Sequence, residues 1–211
     1  MNMSKSKEPR GKARKASVLD HLKPDEAAFV LRQLLASHPD LAAEAAKMAK
    51  SLLHEESFEN IADEVEEAVN APDLEELNSR AGRHSGGYTD PTDAAWEILE
   101  EAVAPFIDDI TRHIQSGLAE DALEICKGVV LGLYRVENGG KGEVVGWAPD
   151  FAADAACNAI DAWRAGGIAK LQKGRSEQRR KRHLFPRDFV DGFVPEWREM
   201  IARHQSRSSH A

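Results

Sequence analysis

Residues 89–117, TDPTDAAWEILEEAVAPFIDDITRHIQSG, constrain the fold more than any other stretch. Thr89 or Asp90 is placed to cap a helix, Pro91 suits its first turn, and Gly117 is placed to stop it. Between them Trp96, Leu99, Val103, Phe106, Ile107, Ile110 and Ile114 recur at three- and four-residue spacing, the period of one helical face. Pro105 in the middle lacks a backbone donor and crowds the preceding turn, so a kink is expected there.

The same period runs through most of the chain. Pro24 opens a helix with Asp25 and Glu26 in its first turn, and Ala27, Val30, Leu31, Leu34 and Leu35 form its apolar face. A second helix starts near Pro39, with Leu41, Ala45, Met48 and Leu52 in line, and the short link between the two predicts an antiparallel hairpin. Ser57 is placed to cap a helix carrying Phe58, Ile61, Val65 and Val69, and a short helix is expected around Leu74–Ser79. GRHSGGY breaks the chain before the long helix, because paired glycines are costly in a helix interior. After Gly117, LAEDALEICKGVVLGLYRVEN returns antiparallel and ends at Gly139–Gly140. KGEVVGWAPD is the one strand-like stretch. Helices are then expected from Pro149 to Gly167 and over PRDFVDGFVPEWREMIARH, where Val190, Val194, Trp197 and Ile201 line one face.

The class predicted is all-α. An internal echo supports stacked hairpins. At an offset of 77 residues, 29–50 lies over 106–127, matching Phe29 to Phe106, Leu41 to Leu118, Ala42 to Ala119, Ala45 to Ala122 and Lys50 to Lys127. In a solenoid each such unit needs a neighbour to cover its apolar face.

The segment from Gly86 to Trp147 resembles the TPR-like helical regions found downstream of SWIM zinc fingers, and related bacterial helical domains. In those a long helix ends at a glycine, an A-x-x-A-L-x-I/L helix returns, and a polar, glycine-containing turn follows. The corresponding residues are Gly117, then Ala119, Ala122, Leu123 and Ile125, then Asn138–Gly142. The resemblance covers about residues 20–165 and implies a helical scaffold for contacts between macromolecules, with no catalytic residues. The chain lacks the C-x-C and C-x-H zinc-finger pattern, so the companion domain's metal and nucleic-acid roles do not carry over.

Charge is partitioned. The formal net charge is −8, yet residues 1–16 carry six Lys/Arg against one acid and residues 170–211 eleven against five. Residues 17–169 hold eleven Lys/Arg against thirty acids. An expected organisation follows: a disordered basic tail at 1–17, an acidic helical-hairpin domain at 18–166, a basic helical arm at 167–205 and a short disordered tail at 206–211. The basic N-terminus has no apolar stretch after it, and no run reaches the ~18–20 apolar residues of a membrane helix. A bacterial-type cytoplasmic location without a membrane partner is expected.

Chemistry is sparse. Cys126 and Cys157 sit within apolar helical patterns and read as small buried hydrophobes, and no C-x-x-C pair exists. Asp109 and His113 are four apart on one helical face, but no third ligand joins them, and an i,i+4 pair near a helix C-terminus explains the spacing. GGKG at 139–142 follows a helix and lacks the Ser/Thr of a phosphate-binding loop. Glu97, Glu100, Glu101, Asp108 and Asp109 read as a solvated face. No catalytic residue, metal or cofactor is expected.

The candidate partner-binding residues are Arg175, Arg179, Arg180, Lys181 and Arg182 of the basic run KGRSEQRRKRHLF, with Trp147 as a second choice. If that run is helical, Arg175, Arg179 and Arg182 share a face. Three readings stay open: a linker neutralised by the acidic body, a contact to nucleic acid or another polyanion, and a clamp on a neighbouring subunit. Trp147 either plugs a gap between hairpins or forms part of a partner groove. The function expected is a non-catalytic scaffold for protein–protein interaction or self-assembly. The alternative is a nucleic-acid-associated accessory protein using its two basic ends.

Overall fold

The computed structural model describes residues 18–53, 57–84, 86–140, 142–171 and 184–207, leaving aside the side chains of 20, 50–53, 84 and 166–171. Arg175, Arg179, Arg180, Lys181 and Arg182 lie outside the described residues. The chain forms two compact units, Met1–Ser51 and Leu52–Ala211.

In the first unit, α1 (Pro24–Ser37) and all but the last two residues of α2 (Ala42–Leu53) are joined by a 3-10 turn, Pro39–Leu41. The Glu26 carboxylate accepts from the Lys23 backbone N–H at 2.9 Å, holding the start of α1. α1 packs on the 3-10 turn after it. One residue sets this link apart from the next reversal along the chain. Where α5 (Pro91–Gln115) turns back into α6 (Ala119–Gly139), Gly117 adopts φ +82, which reverses the chain cheaply. The echo places Asp40 opposite Gly117. Asp40 is inside the 3-10 turn, and among the described residues none but glycine has positive φ. The start of the second helix is matched at the 77-residue offset, Ala42 to Ala119, but the reversal is not.

The second unit is built around α6. This helix buries Cys126, Val129, Val130, Leu131, Leu133 and Val136, so it is covered on several sides. It packs against α3 (Phe58–Asn70), α5 and α7 (Phe151–Leu171). The α3–α6 contact is the most extensive, and Gly128 and Gly132 explain why. A Cβ on Gly128 would lie 2.6 Å from the Ile61 side chain, and one on Gly132 would lie 2.7 Å from the Ala62 carbonyl oxygen. The helices approach closely because G-V-V-L-G at 128–132 has no side chain at either end. This small-x-x-x-small spacing is the signal that a reading of apolar stripes passes over.

Caps form where Ser57 accepts from the Asn60 N–H, Asp73 from Glu76 at 2.9 Å and Asp90 from Thr92 at 2.8 Å. Pro105 is accommodated inside a continuous α5. The GRHSGGY stretch holds a two-stranded hairpin, β1 (Gly82–His84) and β2 (Gly87–Thr89), with Arg83 opposite Tyr88. It follows the short α4 (Leu74–Arg80), and Gly82 and Gly87 supply positive φ. Among its described residues the strand-like stretch KGEVVGWAPD forms no strand. Val145–Trp147 is a 3-10 turn, pinned where Val144 and Ala148 are buried and where the Glu143 carboxylate accepts from the Leu74 N–H at 3.3 Å.

The last expected helix is split. α8 (Arg187–Phe193) gives way to a 3-10 turn at Pro195–Trp197 and then α9 (Arg198–Arg207), because Pro195 brings no N–H to continue the ladder. Both helices belong to the second unit's own core. Phe189 meets Phe58 edge-to-face at 5.5 Å and stacks on Phe193 at 5.1 Å. Phe185 meets Phe189 at 5.5 Å and Trp163 at 6.2 Å, and Trp197 meets Tyr134 at 5.3 Å. Such pairs add about 0.5–1.5 kcal/mol each beyond area burial.

Candidate interaction surfaces

Several titratable groups of the second unit are buried or half-buried. The His113 ring is buried, and Nδ1 donates to the Asp109 backbone carbonyl at 2.7 Å, one turn back on α5. The Asp109 carboxylate pairs instead with Arg112 at 3.0 Å. The printed link between Asp109 and His113 thus runs through the backbone carbonyl one turn back.

Between α7 and α9, His204 Nε2 lies 2.9 Å from the Asp161 carboxylate, and Arg164 Nη1 stands 3.9 Å from the same group. Arg164 is buried, with the Asp161 carboxylate as its charged neighbour. Burial pushes the Cys126 thiol well above its ordinary range. The half-buried Cys157 is pushed up to about 11, by burial first and then by Asp154 and Asp161, and its Sγ donates to Met200 Sδ at 3.2 Å. Neither is a nucleophile poised for use at neutral pH. Among the described residues no group of three His, Cys, Asp or Glu side chains converges as a metal site. Among them, too, no helix is long and apolar enough to cross a membrane.

Trp147 stands 46% exposed at the end of its 3-10 turn, whereas Val144 and Ala148 on either side of the turn are buried. Trp96 and Trp163 join the core, as their positions on apolar faces predict. Residues 173–183 of the basic run lie outside the described residues, so no geometry joins its cations to Trp147.

The first unit carries a run of exposed apolar side chains. Phe29, Val30, Leu31 and Leu34 on α1 and Met48 on α2 are between 41% and 60% exposed. Leu41 in the connecting turn is exposed as well. None of α1 is buried. All of these residues but Phe29 are on the stripes that sequence periodicity assigns to packing. Single exposed apolar side chains are ordinary, whereas a run of them on adjacent helices is not. Charge along residues 24–53 is nearly balanced, with Asp25, Glu26, Asp40 and Glu44 against Arg32, Lys47 and Lys50.

Comparison with protein-family models, with curated proteins and with solved structures gives no match to this chain.

Proposed function

We propose that this chain is a non-catalytic helical scaffold that self-assembles through the apolar faces of α1 and α2. The observation that carries the reading is the exposure of Phe29, Val30, Leu31, Leu34 and Met48 on two well-formed amphipathic helices. A helix with an uncovered apolar stripe gains most of its stability from whatever covers it. The near-neutral charge of residues 24–53 favours a second copy as that cover. A segment shaped for a charged partner would carry one sign of charge, whereas a balanced one meets its own copy without repulsion. The TPR-like resemblance of residues 20–165 supports the same role, since it implies a contact scaffold built from helices that need neighbours.

Sedimentation velocity across protein concentration tests this. The wild type is expected to shift from monomer to a larger species. A Leu31→Glu/Leu34→Glu/Met48→Glu variant is expected to stay monomeric with unchanged unfolding of the second unit. A monomeric wild type at all concentrations would refute self-assembly.

A further inference from the structure

The second unit carries a separate surface, a groove of about 240 Å³ between α5 and α7. Its floor is apolar: Trp96, Val103 and Ile107 from α5, with Phe151 and Ala155 from α7. Trp96 and Phe151 meet edge-to-face at 5.2 Å, which fixes that part of the floor. The groove is open because Ala104 and Ala155 place only methyl groups along it.

Its α5 edge is the row Glu100, Ala104, Asp108, four residues apart and therefore stacked on one side of the helix. Glu100 and Asp108 are exposed and make no ion pair among the described residues, whereas nearby Glu101 is bound to Arg80 and Asp109 to Arg112. Two uncompensated carboxylates, eight residues and so about 12 Å apart along the axis, bracket an apolar floor. Across the groove Asn158 adds a neutral polar group and no cation.

We propose that this groove is a docking site for a basic amphipathic helix of a protein partner. The occupant presents one or two aliphatic side chains to the floor and Lys or Arg about two turns apart to Glu100 and Asp108. Size and charge together select it. The volume is below the roughly 300–1,000 Å³ of a site that encloses a small organic ligand, but it accepts the anchors of a helix laid along α5 and α7. The unpaired carboxylates set the sign of the partner's charge and its register. This site stands independently of the α1–α2 face and its self-assembly.

The test uses the full-length protein and a fluorescein-labelled helical peptide of Leu, Ala and Lys, with Leu at i, i+3, i+4 and i+7 and Lys flanking that stripe. Fluorescence anisotropy is read for the wild type, for Glu100→Gln/Asp108→Asn, and for Ala104→Trp, which fills the groove from an exposed position. A matched peptide with Glu for Lys is the charge control. The wild type should bind the Lys peptide and not the Glu peptide, and each variant should bind at least about tenfold more weakly. The carboxamide variant changes only exposed side chains, so it keeps the test valid if Ala104→Trp folds poorly. No binding by the wild type overturns the proposal. So does equal binding by wild type and carboxamide variant, which would mean diffuse attraction to the acidic body. Displacement of the peptide by millimolar spermidine to the same extent in wild type and Ala104→Trp overturns it too, because the apolar floor would then contribute nothing.

Discussion

Glycine illustrates how one residue type acts with opposite sign within one molecule. In a helix interior, Gly→Ala gains about 0.5–1 kcal/mol of conformational entropy when the new methyl group has room. At Gly192, inside α8, nothing lies within 4 Å of the added Cβ, so Gly192→Ala is expected to raise the unfolding temperature slightly. At Gly132 the Cβ meets the Ala62 carbonyl oxygen at 2.7 Å and the Val65 side chain at 2.7 Å. Backbone cannot step aside as a flexible side chain can, and overpacking costs about 1–3 kcal/mol, which outweighs the entropic gain. Gly132→Ala should lower the melting temperature; an increase would contradict the close α3–α6 approach. Both glycines of G-V-V-L-G were legible as small residues four apart. Which of the several glycine-containing stretches makes a helix contact was not, because that depends on the partner helix arriving opposite it.

At the scale of elements, local chemistry was readable and turns were less so. The caps at Ser57 and Asp90 and the stop at Gly117 are sequence-local, and each is found where its residue type requires. The conformation of the α1–α2 link was not legible, because a short link is compatible with either a tight glycine reversal or the 3-10 turn found at Pro39–Leu41. Arg80 gives a testable tie between elements. Its guanidinium grips the Glu101 carboxylate at 2.7 and 2.8 Å and the Glu76 carboxylate at 2.9 Å, joining α4 to α5. The hydrogen bond from Arg80 holds the Glu101 carboxyl below its usual range. A lowered folded-state value means that this contribution to stability is complete above the ordinary carboxylate range and is lost as pH falls through the lowered value. In Arg80→Ala the Glu101 titration midpoint, followed by carboxyl NMR shifts, should move up. An unmoved midpoint would show that the pair has no energetic role.

On the scale of the whole molecule, the C-terminal helices settle a question the sequence left open. A helix pair with Val190, Val194, Trp197 and Ile201 on one face can dock on its own body or on a neighbour, and periodicity alone does not distinguish them. The rings decide: Phe189, 5% exposed, is surrounded by Phe58, Phe185 and Phe193, all from the same unit. Phe189→Ala should cost about 3–5 kcal/mol in denaturant unfolding of the second unit. A loss below about 1 kcal/mol would argue that α8 is not part of that core. The candidate site was half legible. Periodicity named the stripes of α1 and α2, but whether a stripe is covered is a property of the folded molecule, and the Glu100–Asp108 groove depends on two alanines from helices far apart in sequence.

Self-assembly through α1 and α2 is the central claim, and hydrogen–deuterium exchange at low and high protein concentration tests it most directly. The account predicts that amides of residues 24–49 gain protection as concentration rises while those of α6 are unchanged. Concentration-independent exchange over residues 24–49, with the protein folded throughout, would contradict it.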